Sequence, residues 1–551
     1  MNNSTKTKAI VIGLDGADWR LLRPLINSGK LPTLNRLIQE GCHGPLRSTI
    51  RPESSAAWSS FATGVWPGEH GVYSFLRHEE DSYNFKLANS STIGAPRFWK
   101  ILGDAGYKVG LVNIPFTYPP QQVNGFMVGG MLTPGVDVTF THPPDLQGRI
   151  LSRFPNYRQD AADDLDERDA LIESADAFTA QQMELALFLM REEEWDLFTI
   201  VFTALDRLQH YFWRDMDRHH PAHDSEDALH YGRAIETHLA QLDAAIGLLL
   251  ADSPENTLVL VMSDHGFNGC ANRFFVNRWL EENGYLVTRK QSKRQASVVE
   301  KISNLKSVPL LRRVKRALLP ADWGPASLRI SRLAQSIDWS RTRAYFAPDG
   351  GIRINLKGRE PEGIVEPGQP LESIKAELKR ELLSIESDWE NQPPLGQVYL
   401  SEELYRGRYA KNAADLILEP QRECLQSAGN FILDGSTDSS KGIFGSAEPY
   451  SGNHALDGIL IATGPGVNGS SEIDGATIVD LAPTLLASFD VPIPDRMEGE
   501  VLIDLFSPGY LAGSRSESSG DEEGPQGEGD EFDEQEENIV EARLRNLGYL
   551  D

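Results

Sequence analysis

Four well-separated segments of the chain carry carboxylates and imidazoles of the kind that bind divalent metal ions. They are Asp15 in VIGLDGAD, Asp206 and His210 in FTALDRLQH, the adjacent pair Asp264–His265 in LVLVMSDHG, and His454 in SGNHALDG. Singly, each has an ordinary explanation, because an aspartate after a strand is often a turn or cap residue and a lone histidine is more often structural. Asp206 and His210 stand four positions apart, on one face of a helix. Together the segments supply three carboxylates and three imidazoles, a mixed set that suits zinc and also manganese or iron. Shared as three ligands on each of two ions, the set leaves positions open for a phosphate oxygen or a water, as a catalytic site requires.

A hydroxyl to match lies in STIRPESSAAWSSFATGVWPGEHG, where Ser54 follows a strand-like segment and a Pro-Glu turn and precedes a helix read from about Ala56. A hydroxyl near a helix N-terminus sits where backbone N–H groups and the helix dipole favour a phosphate anion. A neighbouring cation lowers its pKa enough for it to attack as an alkoxide. The plainer reading makes Ser54 or Ser55 a helix cap, and capping and attack are compatible at one position.

Such residues need a scaffold that brings distant segments together. The opening AIVIGLDGADWRLLRPLINSG reads as a buried strand, a turn and an amphipathic helix, the repeat of an α/β fold with a mostly parallel sheet. The pattern recurs at Val109–Asn113, Trp195–Leu205 and Leu258–Met262, with long helices at about Ile172–Arg191 and Asp227–Leu250. GILIATG (Gly458–Gly464) reads as a later strand, and DLAPTLLASF (Asp480–Phe489) as a helix. In open parallel sheets, sites form beyond the carboxyl ends of the strands, and all four ligand segments are expected at that end.

The chain divides on composition into a core at 1–284 and 441–510, an intervening stretch at 285–440, an acidic tail at 511–538 and a short closing helix at 539–551. Within the intervening stretch, the basic run from Arg289 to Arg316 reads as a solvated surface helix, with a lid for an anionic substrate or an interfacial patch as alternatives. The region from Ile337 to Pro420 reads as a smaller α/β subdomain. Residues 512–538 hold eleven acidic residues against the single basic Arg515, with few apolar groups, and so read as a disordered spacer. In NIVEARLRNLGYLD, Ile539, Leu544 and Leu547 have helical spacing and form the expected docking face.

With 40% hydrophobic and 24% charged residues the composition is globular, and a formal charge of −27 argues against general affinity for nucleic acid or anionic membranes. No apolar run reaches the roughly 18–20 residues of a transmembrane helix, and the N-terminus lacks a signal-peptide core. A soluble cytoplasmic protein is therefore expected. Cys42, Cys270 and Cys424 are far apart and odd in number, suggesting neither a disulfide framework nor a cysteine zinc site. Oligomeric state has no signature in the sequence.

Taken as a set, Asp15, the Ser54 segment ending in ATGVWPGEHG, Asp206-x-x-x-His210, Asp264-His265-Gly266 and Asn453-His454 resemble the alkaline phosphatase superfamily. Within it, the chain is most similar to the type I phosphodiesterase/nucleotide pyrophosphatase branch, including microbial predicted phosphohydrolases and phosphomutases. TRAYFAPDGGIRINLKGREPEG and IVDLAPTLLASFDVPIPDRMEG extend the likeness, which spans about Ala9 to Asp504. The resemblance implies an alkaline-phosphatase-like three-layer sandwich with a mostly parallel central sheet and a smaller inserted α/β subdomain. It implies two divalent cations, one held by Asp15, Asp264 and His265 beside the nucleophile, the other by Asp206, His210 and His454. It also implies Ser54 as nucleophile, a phosphorylated serine intermediate and a small-molecule phosphate ester as substrate.

Two positions depart from the branch. The nucleotide pyrophosphatases usually attack with threonine where the count back from Thr63 gives Ser54, and they carry a phosphate-holding asparagine where this chain has Ala57. A phosphomonoesterase or phosphomutase with the same site is the alternative activity, and a catalytically idle scaffold the alternative class.

Overall fold

The structure is a computed structural model of the chain and describes residues 7–161, 167–289, 335–386, 393–421, 430–435, 442–511 and 532–546. The run AIVIGL forms the strand Ala9–Leu14, buried along its whole length. Successive strand residues point to opposite faces, and this divides the run between two cores. Ile10, Ile12 and Leu14 pack with residues of the helices Arg168–Glu192, Ala204–Met216 and Ala234–Asp252. Ala9 and Val11 pack with Trp58 and Phe61 of the helix Ser54–Thr63 and with the helix Leu481–Ser488. The result is the expected helix–sheet–helix sandwich, and burial on both faces explains why the strand is apolar at every position.

The central sheet has nine strands in the order Ser471–Glu472, Cys42–Arg47, Asp457–Thr463, Leu258–Met262, Ala9–Leu14, Leu197–Phe202, Val109–Ile114, Gly125–Gly129 and Thr141–His142. Ala9–Leu14 is parallel to both of its neighbours, Leu258–Met262 and Leu197–Phe202. Asp457–Thr463 is antiparallel to both of its own. A separate four-stranded antiparallel sheet joins Ala344–Phe346, Gly351–Ile354, Leu416–Pro420 and Leu395–Leu400, with the helix Gln369–Leu383 packed on it.

Two local expectations are corrected. The helix expected over Asp227–Leu250 is two helices, Ser225–Tyr231 and Ala234–Asp252. The break falls at Gly232 and Arg233: Gly232 keeps a right-handed helical backbone, and Arg233, at φ −109° and ψ 4°, departs from it. The closing helix starts at Glu534, earlier than expected, because Asp533 Oδ1 accepts the Gln535 and Glu536 amides while Glu536 accepts the Asp533 amide. It docks through buried Val540 and Leu544, whereas Ile539 is half exposed. The strand–turn–helix pattern read over Trp195–Leu205 is present, as the strand Leu197–Phe202 and a helix that begins at Ala204.

Among the described residues, the helical stretch Ser225–Asp252 is long and apolar enough to cross a membrane, but half of it is buried inside the protein. Cys42 and Cys270 are buried, and neither forms a disulfide among the described residues. Cys424, Leu547, the basic run beyond Arg289 and residues 512–531 of the acidic run lie outside the described residues.

Gly13 lies where the sheet meets the helix Ser54–Thr63. A Cβ there would stand 2.5 Å from the Trp58 ring and 2.9 Å from Val201. Gly13→Ala should therefore destabilise the fold by about 1–3 kcal/mol despite alanine's lower backbone entropy cost. Denaturant titration measures this, and unchanged or increased stability would contradict the packing described.

Candidate active site

All six predicted ligands and Ser54 converge in one buried cluster at the end of the central sheet. Asp15 directly follows the Ala9–Leu14 strand, and its amide donates to Phe202 O on the neighbouring strand. Asp206 lies in the first turn of the helix that follows Leu197–Phe202. Asp264 and His265 follow Leu258–Met262. His454 arrives differently. It lies within the strand Gly452–Ala455, paired antiparallel with Gly266–Phe275, rather than beyond a strand of the main sheet. Because the following strand Asp457–Thr463 runs antiparallel to Leu258–Met262, its beginning lies beside that strand's carboxyl end.

The three imidazoles share one arrangement. His210 Nδ1 lies 3.0 Å from Gly452 O, His454 Nδ1 2.7 Å from Pro52 O, and His265 Nδ1 3.0 Å from Gly266 O. A carbonyl oxygen only accepts, so each Nδ1 carries a proton and each ring turns Nε2 inward, where a cation would take its lone pair. His210 Nε2 and His454 Nε2 stand 3.1 Å apart, and Asp206 Oδ1 lies 3.1 Å from His454 Nε2. Asp15 Oδ1 and Asp264 Oδ2 lie 3.6 and 3.4 Å from His265 Nε2. Both oxygens are buried without a hydrogen-bond partner among the described residues. Lone pairs and carboxylates this close, away from water, call for positive charge at their centre, so the donor set fits divalent cations. Two groups have ligand atoms within 4.8 Å of one another: Asp206, His210 and His454, and Asp15, Asp206 and His265. Asp206 thus belongs to both, while Asp264 approaches the second through His265.

Protonation in the cluster reflects the same crowding. Burial, then the charges of Asp264 and Asp206, holds the Asp15 carboxyl well above its ordinary value. Burial and Asp206 push Asp264 up to about 7. Burial also acts to raise Asp206, but His210, His454 and His265 outweigh it and hold this carboxyl low. Burial brings His210 down to about 4 and lowers His265 as well. His454 is raised, because its hydrogen bond and charge contact with Asp206 overcome burial.

Ser54 Oγ lies 3.3 Å from His265 Nε2. Ser54 is the first residue of its helix, Glu53 is the N-cap, and no side chain caps the helix. The helix thus starts two residues before the expected Ala56, and neither serine is its cap. Ser55 Oγ is buried with no hydrogen-bond partner among the described residues. Ala57 is fully buried in the apolar core beside Trp58, so no amide takes the place of the family's asparagine. Sequence reasoning missed the Trp58 contact, in which Nε1 donates to Asp15 Oδ2 at 3.3 Å. Its position four after Ser54, on the same helical face, was the available signal. The Pro52 and Gly452 carbonyls that orient His454 and His210 carry no sequence signal at all.

Residues 9–430 match the family model described as type I phosphodiesterase/nucleotide pyrophosphatase. The chain belongs to that family. As a type I phosphodiesterase/nucleotide pyrophosphatase family member it is a hydrolase of phosphoric ester or anhydride bonds, in a metal-dependent group of enzymes. His454 lies beyond the matched residues. Among solved structures, human ectonucleotide pyrophosphatase/phosphodiesterase 5 is 12% identical with a TM-score of 0.50, over 91% of this chain and 100% of that chain. An inactive form of the murine protein in complex with AMP is 13% identical with a TM-score of 0.51, over the same 91% and 100%. Phosphonoacetate hydrolase from Sinorhizobium meliloti 1021, in complex with phosphonoformate, is 15% identical with a TM-score of 0.51, over 88% of this chain and 96% of that one. At such identities these likenesses establish a shared, alkaline-phosphatase-like fold. A comparison with curated proteins returns no match.

The raised carboxyl of Asp264 has a consequence for the metal-free family member. Its folded-state pKa of about 7 exceeds the ordinary 3.8, so its contribution to stability is full below the lower value and lost as pH rises through the upper one. In excess chelator, the melting temperature of wild type relative to Asp264→Asn should fall between pH 5 and pH 8. Added zinc or manganese should restore wild type far more than the variant. Thermal melts across pH measure both, and a constant difference between the two proteins would contradict the assignment.

Proposed function

We propose that this chain is a phosphodiesterase or pyrophosphatase of small-molecule substrates that acts through Ser54 at a pair of divalent cation sites. The observation that carries the reading is the placement of Ser54 Oγ 3.3 Å from His265 Nε2, at the edge of a buried cluster whose imidazole Nε2 atoms all face inward. Asp206, His210 and His454 would hold one cation; Asp15, Asp264 and His265 would hold the other. Such cations, zinc or else manganese or iron, supply positive charge that lowers the serine hydroxyl pKa and neutralises the phosphoryl oxygens.

The chain's own groups do the rest. Uncapped amides in the first turn of the Ser54–Thr63 helix bind phosphoryl oxygens, and Trp58 holds Asp15 in place. Ser54 Oγ forms a bond to phosphorus as the bond to the leaving-group oxygen breaks, giving a phosphorylated serine. Water then attacks phosphorus, the serine ester bond breaks, and the second product is released. AMP and phosphonoformate, bound in the related structures, support a small anionic phosphorus compound as the substrate class. Ala57 favours one second reading: without an amide at that position, hydrolysis or transfer of monoesters competes with diester cleavage.

Ser54→Ala should lower turnover of a nitrophenyl phosphodiester on the order of 10³-fold while leaving bound metal unchanged. Ser55→Ala should stay within a few-fold of wild type. His454→Ala should reduce metal content from two ions per chain to one. Steady-state kinetics with elemental analysis checks all three. Activity indifferent to Ser54 would sink the mechanism, whereas faster turnover of the matching monoester would replace the diester reading with the monoester one.

A further inference from the structure

A narrow cleft lies against the Ser54–Thr63 helix, lined by Trp58, Ser59, Arg97, Trp99, Thr117 and Gln121 among others. Its free centre is only about the size of a water molecule. Arg97 is 2% exposed and Trp99 1%. The Arg97 guanidinium donates to Ser90 O, and among the described residues no carboxylate acts on it or lines the cleft. Burial alone lowers it to about 9. Trp99 Nε1 is buried with no acceptor among the described residues. His70, close enough to feel the guanidinium charge, is kept neutral by burial and by Arg97, at about 3, so it offers no compensating negative charge.

A buried guanidinium without a counter-charge and an indole N–H without an acceptor both ask for the same thing. Water satisfies the N–H but leaves the charge uncompensated. We propose that this cleft binds one small monoanion of the halide class, such as chloride, held by the Arg97 guanidinium and the Trp99 indole N–H. The size of the free space selects a monatomic ion over a tetrahedral oxyanion such as phosphate. The site is independent of the cation cluster, although Trp58 stands between the two: it lines the cleft and donates to Asp15.

The test is the melting temperature of the metal-loaded full chain as sodium chloride replaces sodium gluconate at constant ionic strength. A saturable rise of about 2 °C or more is expected, with bromide equivalent to chloride. Arg97→Met should lose the response, and Trp99→Phe should raise the half-saturating chloride concentration several-fold. Equal melting temperatures in chloride and gluconate would overturn the proposal. So would an undiminished response in Arg97→Met, which would assign the halide effect to the cations or the surface. A response to inorganic phosphate and none to chloride would overturn the halide assignment. Should Arg97→Met fail to fold, Trp99→Phe decides: an unchanged half-saturation overturns the proposal. In a bromide-soaked crystal, an anomalous peak beside the guanidinium is the direct expectation, and its absence at full metal occupancy counts against the site.

Discussion

The structure is organised around one electrostatic constraint: three carboxylates and three imidazoles are gathered in one buried cluster, with neighbouring ligand atoms 3.1 to 4.0 Å apart. Left to themselves these groups repel, and the raised carboxyls of Asp15 and Asp264 record that cost. The arrangement persists because the surroundings over-determine it. Each Nδ1 is tied to a backbone carbonyl, Trp58 pins Asp15, and Phe267 packs within 4.8 Å of His210 and 5.4 Å of His454, measured between ring centroids. Such preorganisation means that a bound cation need not reorganise its ligands, which is what a low-barrier electrostatic catalyst requires.

The fold serves this constraint through the direction of its strands. Parallel strands deliver Asp15, Asp206, Asp264 and His265 to one end of the sheet, each in the turn after its own strand. His454 comes from more than 180 residues downstream of Asp264 and needs a different device, a reversed strand whose beginning lies where its neighbours end. The reversal also lets His454 reach back to Pro52, two residues before Ser54. That hydrogen bond ties the ligand set to the nucleophile loop. The same helix that carries Ser54 reaches the opposite core through Trp58 and Phe61, so site geometry and core packing are not separable.

A second consequence of dense packing is charge stranded away from the site. Arg97 is buried beside the Ser54–Thr63 helix with no carboxylate among the described residues to answer it, in contrast to Arg353, whose guanidinium meets Asp349 within the same degree of burial. The comparison shows that the chain pairs buried arginines where it can, and it marks the Arg97 cleft as a place where the counter-charge comes from outside the polypeptide.

Much of this was legible in the residues themselves. Continuous apolar runs followed by aspartates marked the central strands and their catalytic ends, since a strand buried on both faces has no other way to read. The four-residue spacing of Asp206 and His210 placed them on one helix face, and the order of the ligand segments identified the family. Local composition could not show that the helix breaks at Gly232 and Arg233, that Asp533 starts the last helix early, or that Val540 rather than Ile539 faces inward. Those depend on which neighbour a residue meets. Nor could it assign tautomers, because His210 and His454 are oriented by carbonyls 242 and 402 residues away. The sequence by itself determined the inventory of candidate ligands and hydroxyls and the layered α/β architecture, because these follow from residue type and local period. Only the tertiary structure decided which lone pairs face one another, which serine reaches them and which buried charge goes unanswered, because these are set by contacts between residues far apart in the chain.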